Sequence, residues 1–262
     1  MGLKAGGRGM HYGFQILAAL AIFATGLIGG ALALRPGSQR DDVPTLLARL
    51  GGPVAAGVFL GAGFIHMLGD ASDTFGAVMP NVDFPLAFLL AAVGFVAVLA
   101  IERVVFKAAS AAEGPYAYIL TLVLGFHSML AGIALGVEDT ALVGLAIAIA
   151  IVAHKGAAAF ALGTSFVKAG MARGQAWGLI ATFSCVTPLG ILTGVLLGNL
   201  LAEESGEIVE AVFDALAAGS FLYIAALDII QDEFGDRHRS HMPAFIALLA
   251  GLSLMALIAI WT

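Results

Sequence analysis

Two histidines, His127 and His154, stand near the centres of two adjacent apolar runs that meet at the acidic pair Glu138-Asp139. A ligating or titratable group in the middle of an apolar span is costly to place there, and by default it marks a functional site. A single buried imidazole is more often a satisfied core residue. Two at matched depth on neighbouring antiparallel spans point instead to a shared ligand, and neutral imidazole is the commonest metal donor among side chains.

Other polar groups extend this centre into a column. The stretch FIHMLGD places His66 and Asp70 four residues apart, on one helical face near the end of its run. A histidine and a carboxylate at that spacing share a divalent metal or hydrogen-bond each other. Glu138 follows His127 by eleven residues, close to three helical turns, which sets it about 16 Å above the histidine at the mouth. The alternative for Glu138 is a solvated loop carboxylate. Asp214 falls in the outer half of the seventh run, and Asp228 and Asp232, again four apart, fall in its inner half. Asp232 also reads as an interfacial residue. Thr187-Pro188 lies mid-run, where proline frees a backbone carbonyl either to line a cavity or only to kink a helix. Imidazole and carboxylate together suit Zn, Fe, Mn and related divalent ions, so the residues alone suggest a cation path. Gly132, Gly136 and the small residues Gly156–Ala159 flank it and permit close helix approach.

The elements that position these residues must be membrane helices. The chain has 262 residues, 60% hydrophobic and 11% charged, with mean hydropathy +1.00. Soluble domains carry roughly 25% charged residues. Eight apolar runs are long enough to span as helices, at about 12–34, 45–69, 84–104, 115–137, 140–165, 175–200, 207–232 and 243–261. They are continuous rather than alternating, which argues against barrel strands. An all-α polytopic membrane protein with one transmembrane domain over 1–262 is expected. The first run resembles a signal peptide in its two preceding basic residues, yet it is long enough to span and lacks a clear cleavage site. The net charge of −6 offers no basic patch for nucleic acid, and the single Cys185 excludes an internal disulfide and a cysteine-cluster metal site.

Orientation follows from the basic residues. Arg35, Arg40, Arg49, Arg103, Lys107, Lys168, Arg173, Arg237 and Arg239 all border alternate loops, those after runs 1, 3, 5 and 7. The loops after runs 2, 4 and 6 contain no Lys or Arg; they carry Asp73, Asp83, Glu138, Asp139, Glu203, Glu204 and Glu207. The basic side is therefore expected to be cytoplasmic, with both termini outside. So compact a chain suggests a bacterial inner membrane.

GVFLGAGFIHMLGDA, FPLAFLLAAVGFVAVLAIERVV, FHSMLAG, HKGAAAFALG, FSCVTPLGILTG and LAAGSFLYIAALDII resemble, in order, motifs of the second to seventh spans of the ZIP (Zrt- and Irt-like) family of divalent metal transporters. The similarity is to the branch with plant iron, yeast zinc and animal zinc members. It implies eight helices in a 3+2+3 arrangement with inverted repeats, a homodimer in the lipid bilayer, and elevator-like transport of Zn²⁺, Fe²⁺, Mn²⁺ or Cd²⁺ to the cytosol. It implies a transport site between spans 4 and 5, with His127, His154 and Ser128 as metal ligands. Asp228 is expected to assist them. Two positions depart from the family pattern: Ala131 and Ala158 stand four residues after the two histidines, where carboxylates are usual. Lys155 and Thr187 stand where two-metal members have second-site ligands, so the resemblance implies one metal, with the ammonium in the space of the second.

Three functions fit this reading. The first is divalent metal transport, along a path that also includes His66, Asp70, Glu138, Lys155, Thr187, Asp214 and Asp232. The second is a protein of the same fold that binds or senses metal through a site that has lost its carboxylates. The third, an intramembrane zinc hydrolase, needs a third ligand and a general base at the same depth. No Asp or Glu lies within two turns of either histidine on its own helix, so an enzyme is not expected.

Overall fold

The computed structural model describes residues 4–35, 46–106, 114–138, 140–197, 203–235 and 241–260. Arg40, Lys107, Asp139, Arg237 and Arg239 lie outside them. All regular structure among the described residues is helical. The helices are α1 (Lys4–Ala33), α2 (Leu46–Gly61, through a π-helical turn Ala62–Met67 into Leu68–Val78), α3 (Leu86–Leu99, ending π-helically over Ala100–Phe106), α4 (Gly114–Val137) and α5 (Ala141–Lys168). They continue with α6 (Arg173–Leu197), α7 (Glu203–Tyr223, through a π-helical turn Ile224–Ile230 into Gln231–Phe234) and α8 (Met242–Ile258). The first seven contain stretches long and apolar enough to cross a membrane, and α8 is a shorter apolar helix. The protein is an all-α polytopic membrane protein.

One boundary differs clearly from the hydropathy reading. The second run, expected to end at 69, continues as helix to Val78. Polar residues interrupt the hydropathy there, but Leu68, Ala71 and Phe75 remain buried on one face and hold the outer turns against the fold. Asp73 is therefore helical rather than in a loop.

The helices pack as two sets. In one, α1 lies on α5 and α6, and α4 lies on α6. In the other, α2 lies on α8 and α7, and α3 lies on α7. Contacts between the sets run chiefly through α5 against α2 and α8, and α4 against α7. Exchanging α1, α2, α3 and α4 for α6, α7, α8 and α5 preserves the main contacts, though α5 also packs on α6 without a comparable α1–α4 contact among the described residues. Five crossings separate the exchanged helices of the triplets α1–α3 and α6–α8, so one triplet is inverted relative to the other across the bilayer.

The correspondence extends to single residues. A Cβ on Gly57 would collide with the carbonyl oxygen of Leu248 and approach Leu252 N; a Cβ on Gly219 would meet Ala91 O and Phe95 N in the same way. Gly132 and Gly136 of α4 abut Gly190 and Gly194 of α6, as Gly156 and Gly163 of α5 abut Gly29 and Ala33 of α1. Lipid tails are as apolar as leucine, so helix association here depends on close backbone approach rather than on hydrophobic burial. These glycines permit that approach.

Candidate metal site

Close packing of α4 and α5 against the rest of the molecule brings the two sequence-predicted histidines together. His127 and His154 are buried, and their ring centroids are 5.6 Å apart. Both ring nitrogens of His127 are buried without a hydrogen-bond partner. Buried polar atoms are nearly always paired, so an imidazole left open at both nitrogens is poised to take a ligand. The Phe221 ring of α7 makes T-shaped contacts with both imidazoles, 5.0 Å from His127 and 6.0 Å from His154 by centroid. Phe59 of α2 backs it at 4.9 Å.

Lys155 lies beside the pair and is buried too. Its Nζ donates to Ser128 Oγ, Phe183 O and Thr187 Oγ1, each at 3.0 Å, which uses all three donors. The ammonium also sits 3.6 Å from the centroid of the Phe183 ring, a cation–π contact. Ser128 and Thr187, both predicted site residues, thus serve the lysine. α6 continues through Pro188, whose missing N–H leaves the Ser184 carbonyl outside the helical ladder.

Toward one end of the bundle, His66 Nδ1 lies 2.8 Å from Asp70 Oδ2, on one helical face as the four-residue spacing predicted. The His66 ring is 6.5 Å from that of His154, so three imidazoles form a row from α2 through α5 to α4. Asp214 of α7 lies within electrostatic reach of His66 and joins this group. Glu138 sits apart from it in the hairpin turn, where Oε1 accepts the Thr140 N–H at the start of α5. Toward the opposite end, Asp232 pairs with Lys168 at 2.6 Å, and Asp228 lies within electrostatic reach of both Arg103 and Lys168.

Among the described residues, no three or more His, Cys, Asp or Glu side chains are grouped to hold a metal ion. The centre offers two imidazoles with a third nearby, and a dication there would complete its shell with water or a passing ligand. The absence of adjacent carboxylates reflects Ala131 and Ala158. Asp228 lies in reach of Arg103 and Lys168, toward the end where Lys168 pairs with Asp232.

Sequence reasoning missed Phe59 and Phe221. The signal was available: Gly57-Val58-Phe59-Leu60 and Gly219-Ser220-Phe221-Leu222 repeat in α2 and α7, and the second phenylalanine touches the histidines. It also missed the Phe183 carbonyl, which carries no side-chain signature.

The sequence model of the family described as ZIP Zinc transporter matches residues 12–116 and 108–259. Zinc transporter ZIP2 of Homo sapiens is 27% identical over 267 residues, covering 82% of this chain and 86% of that protein. Zinc transporter ZIP1 of Danio rerio is 28% identical over 247 residues, covering 77% and 81%. Protein zntD of Dictyostelium discoideum is 34% identical over 147 residues, covering 55% of this chain and 21% of its own length. With nearly its whole length matched, the chain belongs to the ZIP zinc transporter family.

Proposed function

We propose that the protein carries a divalent metal ion, Zn²⁺ first and Fe²⁺, Mn²⁺ or Cd²⁺ as chemically related cargo, across the membrane toward the cytosol. The observation that carries this reading is the buried imidazole pair His127–His154, with both nitrogens of His127 unpartnered. Names of related proteins, zinc transporters among them, support the choice of cargo. The ion meets His66, Asp70 and Asp214 first, then binds between α4 and α5 with Ser128 at hand, and leaves past Asp228 and Asp232. Glu138 guards the outer mouth from the hairpin turn.

Two features support elevator-like movement. The imidazole pair rides on α4 and α5, whereas Phe59, His66, Phe221 and the inner aspartates belong to α2 and α7 of the other set. Contacts between the sets are made chiefly by the two site helices. Displacing one set against the other would carry the imidazoles from the outer polar group to the inner one. The protein acts as a homodimer in a bacterial inner membrane, termini outward, a reading supported by the loop charges and the family resemblance.

The test is ⁶⁵Zn uptake into liposomes that hold the purified protein, wild type beside His127→Ala. Uptake by the wild type that disappears in the variant is the expected result. Equal uptake by both proteins would remove the site assignment.

A second reading has its own observation. Lys155 fills the polar space beside the histidines with a hydrogen-bonded amine, and Ala131 and Ala158 supply no counter-charge. A dication in low dielectric then lacks compensation. On that reading the protein binds or senses metal without moving it. Wild-type liposomes would take up nothing, and Ala131→Glu would create flux.

A further inference from the structure

The two repeats carry polar groups at equivalent places, but with different partners. His66 and Asp70 follow Gly57 by nine and thirteen residues; Asp228 and Asp232 follow Gly219 by the same nine and thirteen. The π-helical turns that contain His66 and Asp228 begin five residues after the same glycines. The fold therefore places an outer station and an inner station at corresponding positions of α2 and α7.

At the outer station the partner of Asp70 is His66, on its own helix, at 2.8 Å. The outer loops contain no Lys or Arg. At the inner station the partner of Asp232 is the ammonium of Lys168, contributed by α5 at 2.6 Å. Asp228 has the Arg103 guanidinium in its field. That guanidinium is fixed: Arg103 pairs with Glu102 Oε1 at 2.9 Å, and its Nε donates to Tyr223 Oη at 3.5 Å. Tyr223 Oη in turn donates to Glu102 Oε2 at 2.6 Å. The outer station is an imidazole and carboxylates, which attract and ligate a dication. The inner station holds a carboxylate, Asp232, already paired with a side-chain cation.

We propose that Lys168 is a release-promoting residue: it competes with the arriving metal for Asp232, so the inner station passes the ion on instead of holding it. The inference rests on the transport reading above. Lys168 lies fourteen residues after His154 on α5, nearly four turns and about 21 Å along almost the same face. The helix that presents the metal thus also carries the cation that displaces it. The Lys168 and Asp232 side chains are 55% and 56% exposed, so solvent screens the competition. Its effect on metal retention is about two- to fivefold, not orders of magnitude.

Lys168→Gln tests this, with Lys168→Arg as the charge-preserving control and Lys168→Gln/Asp232→Asn as the reversal. Full-length protein in liposomes enclosing a zinc-sensitive dye gives kcat and KM. Zinc retained by the detergent-purified protein after gel filtration gives a measure independent of transport. Lys168→Gln is expected to retain about two- to fivefold more zinc and to lower kcat and KM together, leaving kcat/KM unchanged. Lys168→Arg should match the wild type, and the double variant should lose the excess zinc. Unchanged retention and unchanged kcat in Lys168→Gln would overturn the inference, and a faster kcat would identify the pair as a latch between the helix sets instead. If the wild type transports nothing, the transport reading fails by itself, and equal zinc retention across the variants then also disposes of the competition.

Discussion

Phe59 and Phe221 pack with ring centroids 4.9 Å apart, and each occupies the other's place in the inverted repeat, two residues after Gly57 and Gly219. The pair stands where the repeats meet, and only Phe221 has ring contacts with the site histidines. Sequence equivalence has thus become functional difference. Phe59 supports, while Phe221 forms a wall of the imidazole pair. A phenylalanine ring contributes shape rather than ligation.

Phe221→Leu should therefore change apparent zinc affinity several-fold, while Phe59→Leu should leave affinity unchanged and lower only the melting temperature. Zinc titration and thermal unfolding of both variants in the same detergent separate the two effects. Equal affinity changes in both would contradict the assignment of Phe221 as the wall.

Lys155 ties three elements together. It is anchored on α5, reaches Ser128 of α4, and takes Phe183 O and Thr187 Oγ1 of α6. Truncation leaves those acceptors without their donor in a buried setting, where an unsatisfied group costs about 1–3 kcal/mol. Lys155→Ala should accordingly lower stability by roughly that amount. Lys155→Met, which keeps the stem and loses the charge, should bind a second zinc no better, because no carboxylate replaces the ammonium. Thermal unfolding and zinc stoichiometry of the two variants check both statements. Two zinc ions bound to Lys155→Met would count against the site being limited by its ligands.

Much of the architecture was legible in the chain because hydropathy dictates where membrane helices run. His127 and His154 were legible for the same reason: an imidazole is conspicuous inside an apolar run. The pairing of His66 with Asp70 followed from helical periodicity. What escaped was whatever depends on tertiary approach. Phe59 and Phe221 look like any apolar residues until their glycines show which backbones touch. The Lys168–Asp232 pair needed the ends of α5 and α7 to meet, since Asp232 lies 64 residues away. The outer turns of α2 were lost because hydropathy averages over residues such as Asp73 that face away from the core.

Introducing a carboxylate four residues after each histidine should have unequal outcomes at the two positions. Ala131 is partly buried at the edge of the small cluster formed by Ala18, Ile22 and Leu135. Ala158 is buried in the main core. A glutamate at 158 places a charge in close-packed surroundings, which is strongly destabilising unless metal or another cation pairs it. Ala131→Glu should fold and retain more zinc than the wild type. Ala158→Glu should unfold at lower temperature, with zinc recovering part of the loss. Melting curves with and without zinc would contradict this if the two variants behaved alike.

The glycine contacts give the most direct check on the repeat. Gly57 and Gly219 stand at equivalent places, each beneath a carbonyl oxygen, Leu248 O and Ala91 O. Backbone cannot swing aside as a flexible side chain does. An added methyl must push α2 from α8 in one case and α7 from α3 in the other. Overpacking of this kind costs about 1–3 kcal/mol. Gly57→Ala and Gly219→Ala should destabilise by similar amounts, whereas Gly69→Ala, with open space around its Cβ, should be neutral or slightly stabilising. Thermal unfolding of the three variants decides it. A loss at Gly57 without a matching loss at Gly219 would mean that the two repeats do not share one packing geometry.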